Sequence, residues 1–212
     1  MIRSLLALAC TLVALMSVPV LPAAAAATYD VRGGDAFTTA SSSGRCTVGF
    51  SVGGGYITSG ECAGAGETVI GDNGVVQGTV QGTTFPGHGG AWVRTNSSWQ
   101  PRGLVDRQDG TSVTVSGSQP APVGSAACMS GAVSGWQCGV IQARDVTVNF
   151  PEGVLNGLIR TDICAAPGDR GAPLIADGQA QGILIATSGG CTSFFLPVDE
   201  VLAPYGLTLV TE

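Results

Sequence analysis

From residue 28 to residue 197 a helical repeat is almost absent. Runs rich in Val, Ile and Thr at 46–52, 75–80, 91–94, 112–116, 139–143, 155–160 and 182–185 are short, alternating or continuously apolar, and bounded by Gly, Ser, Asn and Pro. β-Branched residues within such runs and turn formers between them specify strands. One short helix is expected, at 198–205, closing the chain. A stretch rich in Pro, Ser and Gly at 116–123 reads as a joint between halves of similar size. The expected domains are therefore 28–115 and 116–212, two small β-barrels packed face to face. A single β-sandwich is the other architecture the pattern permits.

Residues 1–27 have the layout of an export signal: Arg3, an apolar stretch from Leu5 to Val18, then small residues from Ala23 to Ala27. A membrane anchor is the rival reading, against which stand the shortness of the run and its ending at Pro19 and Pro22. Cys10 lies inside that run and would leave with the signal, whereas a lipid-bearing cysteine normally follows the apolar core. The expected location is secreted and extracellular, with no membrane association once the signal is removed. About 185 residues then remain, enough for one large or two small packed units. Six of the seven cysteines stay in the mature chain, an even number that points to three disulfides. Fifteen pairings are formally open, and each bond would contribute about 2–4 kcal/mol. Zinc is disfavoured because no Cys-x-x-Cys pair occurs. All nine basic residues are arginine, against fifteen acidic ones, and no basic cluster appears. Nucleic acid is therefore not an expected partner.

Three segments carry the chemistry. Pro167-Gly168-Asp169-Arg170-Gly171-Ala172-Pro173-Leu174 resembles the nucleophile loop Pro-Gly-Asp-Ser-Gly-Gly-Pro-Leu of chymotrypsin-like serine proteases, with arginine in place of serine. Thr58-Ser59-Gly60-Glu61-Cys62 resembles that family's Thr-Ala-Gly-His-Cys, with glutamate in place of the base. Phe85-Pro86-Gly87-His88-Gly89-Gly90-Ala91-Trp92-Val93 resembles its Phe-Pro-x-Asn-Asp-x-x-x-Val, with Gly89 at the aspartate. Further matches in the same order include Gly33-Gly34-Asp35-Ala36, Gly44-Arg45-Cys46, Gly135-Trp136-Gln137-Cys138-Gly139 and Phe194-Phe195-Leu196-Pro197-Val198. From Arg32 to Leu209 the chain is similar to the secreted bacterial streptogrisin and α-lytic type proteases.

The resemblance implies an all-β fold of two packed six-stranded antiparallel barrels with a short C-terminal helix. It implies disulfides joining Cys46 to Cys62, Cys128 to Cys138, and Cys164 to Cys191. It places Glu61, Gly89 and Arg170 at the three triad positions, none of them intact, and Gly168, Asp169 and Arg170 in the loop whose N–H groups form the oxyanion hole. Ile185, Ala186 and Thr187 fall on the strand that pairs with substrate, Thr187 narrowing the pocket entrance; a gapped alignment would instead put 187–190 there. The family's cation for the buried aspartate follows the cysteine matching Cys128, where this chain has Met129. Either another group holds Asp169, or the loop has left its active shape. Arg170 and Glu61, opposite in charge and adjacent by homology, are expected to form a salt bridge; the alternative is that Arg170 swings into solvent. Family members carry a long pro-region, whereas the mature-like sequence here starts almost directly after the signal.

Acyl transfer in this family needs a serine oxygen, a histidine and an orienting carboxylate, so the expectation is a non-proteolytic homolog acting by binding. The expected partners are a secreted protein, a peptide or a protease inhibitor; the expected state is a monomer, with no cofactor and no metal. The alternative is a streptogrisin-type endopeptidase or hydrolase with residual activity or chemistry rebuilt around Glu61 and His88, which would enlist Ser59 or Thr58. A metal held by Glu61, His88 and Asp169 is a weaker option. Trp92, Trp99 and Trp136 are candidate anchors for a partner, although scaffold matching makes Trp92 and Trp136 packing residues.

Overall fold

The structure, a computed structural model, describes residues 28–84, 89–151 and 153–212. The expected export signal and His88 lie outside the described residues. The first half contributes β1 (Tyr29–Gly33), β2 (Ala36–Thr39), β3 (Ser42–Thr47), β4 (Ser51–Val52), β5 (Gly55–Ser59), β6 (Thr68–Gly71), β7 (Val76–Thr83), β8 (Gly90–Thr95), β9 (Trp99–Asp106) and β10 (Ser112–Thr114). The second contributes β11 (Ala126–Gly131), β12 (Gly135–Phe150), β13 (Gly153–Thr161), β14 (Pro173–Ala176), β15 (Gln179–Thr187) and β16 (Ser193–Pro197). The helix α1 (Val198–Leu202) follows, and a 3-10 turn, Ala203–Tyr205, finishes the segment expected as helix.

The fold is all-β with two barrel-like halves. The second half is a closed six-stranded barrel in the order β11-β12-β13-β16-β15-β14. The first half differs from the expected six antiparallel strands. Its main sheet has seven strands in the order β3-β2-β6-β7-β8-β5-β4, and a three-stranded sheet, β1-β9-β10, accompanies it. β1 runs parallel to β9, with Tyr29 opposite Trp99. Parallel pairing needs a long connection, and here the whole of β2–β8 lies between the two strands. Register shifts at Phe37/Thr39, Val69/Ile70 and Val80/Gly82 curl the larger sheet.

Local chemistry sets the tight turns. β14 and β15 are joined by Asp177 and Gly178, both at positive φ (49° and 72°), with Ala176 opposite Gln179. An Asp-Gly pair at two left-handed positions is the two-residue hairpin turn whose twist matches the strands.

Each half has its own core. Phe37, Val48, Tyr56, Val69, Val93 and Trp99 pack in the first. Met129, Ile141, Ile159, Leu174, Leu184 and Phe195 pack in the second. A third cluster joins them, bringing Phe50, Ile57 and Val105 against Leu158, Ile183 and Ile185. Val198, Val201 and Leu202 of α1 belong to this junction, so the helix buries one face across the halves. Trp92 and Trp136 also pack against it, and Trp99 is 8% exposed. Disulfides join Cys46 to Cys62, Cys128 to Cys138, and Cys164 to Cys191. Among the described residues no helix is long and apolar enough to cross a membrane.

Candidate functional site

The site lies where the halves meet. β5 carries Ser59 out of the first core, and the turn after it presents Glu61, held by the Cys46–Cys62 bond and by the Gly60 N–H donating to the Gly89 carbonyl at 2.7 Å. From the second half comes the loop between β13 and β14, which carries Gly168, Asp169 and Arg170. Thr47, at the end of β3, pins this loop: its N–H donates to the Arg170 carbonyl at 2.8 Å and its hydroxyl to the Gly168 carbonyl at 3.0 Å.

The structure brings Glu61 and Arg170 together. The Arg170 Nη1 forms an ion pair with Glu61 Oε2 and donates to the Ile185 carbonyl at 2.8 Å. The Arg170 side chain stays 45% exposed while that of Glu61 is 22% exposed. Partial burial lowers the Arg170 pKa, but a guanidinium still keeps its proton in a protein. Among the described residues Nε and Nη2 of Arg170 meet no acceptor, nor do the main-chain N–H groups of Gly168 and Arg170.

Asp169 is fully buried, and among the described residues no cation pairs with it. Its Oδ1 accepts from the N–H groups of Val133 at 2.9 Å and Ser134 at 3.1 Å, and its Oδ2 from Ala166 at 2.8 Å. Main-chain donors thus compensate the charge, and Met129, where the family has its cation, packs in the apolar core of the second half. Gly168 at φ 104° and Gly171 at φ 90° give the loop its turns. Thr47 and the Asp169 donors were missed by sequence reasoning; backbone N–H groups carry no residue signature.

Gly89 faces apolar surroundings. A Cβ built there would lie 3.3 Å from Leu155 Cδ1, 3.7 Å from Leu196 Cδ2 and 3.9 Å from Ile185 Cγ2, on a backbone at φ 73°. Ser59 and Thr58 are fully buried, and the Thr58 hydroxyl donates to the Thr47 carbonyl at 2.8 Å. Ile185 and Ala186 are buried in β15, whereas Thr187 is exposed at its end. Ala186 and Thr187 line a pocket of about 160 Å³ with Ala166, Pro167, Leu184 and Arg170. Among the described residues no cluster of three or more His, Cys, Asp or Glu is gathered as for a metal ion.

A second, polar cleft of about 480 Å³ opens on the first half, lined by Arg32, Asp35, Arg45, Asp72 and Asp106 among others. Arg32 Nη2 pairs with Asp106 Oδ2 at 2.6 Å and Asp35 Oδ1 at 3.6 Å. Burial pushes the Asp35 carboxyl up to about 6, against the pull of the Arg32 N–H and guanidinium.

No protein-family model matches the sequence. The chain is 34% identical to Serine protease 2 of Streptomyces fradiae over 169 residues, which are 76% of this chain and 97% of that protein. It belongs to the chymotrypsin-like bacterial serine protease family. Within this family it is 47% identical to Streptogrisin-C of Streptomyces griseus over 191 residues, 86% of this chain and 42% of that protein. The family fold is matched closely: the Cellulomonas bogoriensis chymotrypsin superposes with a TM-score of 0.80 at 44% identity, covering 87% of this chain and all of the other. The chain spans 35% to 61% of the length of the first four curated relatives.

Proposed function

We propose that this chain is an exported, non-proteolytic member of the family that acts by binding. One observation carries the reading: Arg170, at the position matched to the family's nucleophile, is paired with Glu61, at the position matched to its base. Gly89, at the position matched to the aspartate, offers no carboxylate. A guanidinium cannot give up a proton to become a nucleophile, and the hydroxyls of Ser59 and Thr58, the candidates for rebuilt chemistry, are fully buried. Disabling such a catalytic unit costs about a millionfold in rate, roughly 8 kcal/mol of barrier. The retained cleft suits a peptide, a protease inhibitor or another exported protein. The six cysteines joined in three disulfides support an oxidising compartment.

The test is a fluorophosphonate probe together with a panel of peptide anilides on the purified mature protein. No labelling and no turnover are expected. Labelling that disappears when a single serine is replaced would refute the reading. A hydrolase is the second reading, favoured by the unpartnered N–H groups of Gly168 and Arg170, which are the kind of donors that stabilise an oxyanion.

A further inference from the structure

Four features of the loop and its pocket converge on one ligand chemistry. The Gly168–Arg170 loop presents two main-chain N–H groups without acceptors among the described residues. Beside them is a guanidinium whose Nη1 is engaged by Glu61 and Ile185, while Nε and Nη2 form no hydrogen bond among the described residues. That guanidinium forms part of the wall of the pocket of about 160 Å³, whose other walls include the apolar Ala166, Pro167, Leu184 and Ala186. The pocket is about half the size of the smallest usual small-molecule sites, so it takes a short aliphatic group and little more. Finally, β14 leaves β15 after the Pro173–Ile183 pair, while β16 continues along the other edge as far as Thr187. Among the described residues one edge of Ala186–Thr187 is therefore without a strand neighbour, and an extended chain can add there through its backbone.

We propose that the loop and pocket recognise the C-terminal carboxylate of a peptide ending in a small aliphatic residue, the carboxylate on Arg170 and the side chain in the pocket. This rests on the non-proteolytic reading and names the ligand class of that same site. The Nε and Nη2 edge of arginine matches the two oxygens of a carboxylate as a fork. Glu61 is paired through Nη1, and among the described residues no hydrogen bond engages the Nε and Nη2 edge. The loop is held in shape before any ligand arrives. Asp169 is bonded by three backbone N–H groups, and Thr47 ties Gly168 and Arg170 to the first half.

The experiment is calorimetry of the mature protein with acetyl-Ala-Ala-Val as the free acid, the same peptide as its C-terminal carboxamide, and acetyl-Ala-Ala-Phe as the free acid. The valine acid is expected to bind roughly ten- to a hundredfold more tightly than the carboxamide, the range of a charged hydrogen-bonded contact. It is expected to bind more tightly than the phenylalanine acid as well. Arg170→Ala should abolish the acid preference and Arg170→Lys should retain only part of it, with circular dichroism showing both variants folded. Equal affinity for acid and carboxamide, absence of binding by either at millimolar concentration, or an acid preference that survives Arg170→Ala each overturns the proposal while leaving non-proteolysis intact. Cleavage of any of these peptides overturns the non-proteolytic reading itself and is seen separately, by mass spectrometry of the same samples.

Discussion

Replacing Asp169 tests whether main-chain donors alone hold the loop that carries Arg170. The carboxylate has no exposure and three N–H partners, Val133 and Ser134 on one oxygen and Ala166 on the other. In Asp169→Ala all three donors lose their acceptor at a buried site. Each orphaned group costs about 1–3 kcal/mol before relaxation or entering water, so a total near 4 kcal/mol is expected. Asp169→Asn is the sharper probe. Its amide oxygen still accepts from Val133 and Ser134, but its NH₂ faces the Ala166 N–H, donor against donor. One charged hydrogen bond is lost, worth about 1.5–3 kcal/mol. The alanine variant should therefore be the less stable of the two by about 2 kcal/mol.

Urea unfolding without reductant, followed by tryptophan fluorescence, measures both differences. The reasoning fails if Asp169→Ala lies within about 1 kcal/mol of the wild type, since that is the scale of an ordinary surface change. It fails equally if the asparagine variant is as unstable as the alanine one. That result would mean the whole negative charge, rather than acceptor geometry, is what the loop requires.

Three further outcomes follow from the same structure. The Asp35 carboxyl is raised from 3.8 to about 6 chiefly by burial, so folding favours its protonated form; that stabilisation is complete below pH 3.8 and lost above about pH 6. Relative to Asp35→Asn, wild-type stability should fall by up to about 3 kcal/mol across that window, and parallel pH–stability curves would contradict this. A double-mutant cycle on Arg170→Ala and Glu61→Ala should give a coupling of about 0.2–1 kcal/mol, because the arginine is 45% exposed; a coupling several times larger would mean the pair is effectively dry. The triple variant Glu61→His, Gly89→Asp, Arg170→Ser should be a poor peptidase with a lowered Tm. An aspartate at φ 73° is strained by about 1–3 kcal/mol, and its carboxylate would enter the apolar wall of Leu155, Leu196 and Ile185; efficient anilide hydrolysis at wild-type Tm would count against that.

What the sequence disclosed and what it concealed divide along a physical line. Strands with short apolar periods were legible because side-chain type and local backbone preference coincide there. The parallel pairing of β1 with β9 was not, since nothing local in either segment specifies a partner so far along the chain. Likewise β12 runs from Gly135 to Phe150, well past the run at 139–143, because shifts at Ile141/Ala143, Ala143/Val146 and Val146/Val148 break the alternation that would have announced it. At the site, the residue letters show Glu61, Gly89 and Arg170 at the positions matched to the family's triad, and with them the opposite charges of Glu61 and Arg170. The donors that satisfy Asp169 cannot, because a peptide N–H is the same whichever residue bears it. The cleft of Arg32, Asp35 and Asp106 escaped for a related reason: Arg32 and Asp35 are local, but Asp106 arrives from β9, and only the fold supplies its proximity. Residue identity thus reports which side-chain types stand at the positions matched to the triad. What the site can hold depends also on main-chain geometry: among the described residues the N–H groups of Gly168 and Arg170 meet no acceptor because of how the loop folds, whatever residues bear them.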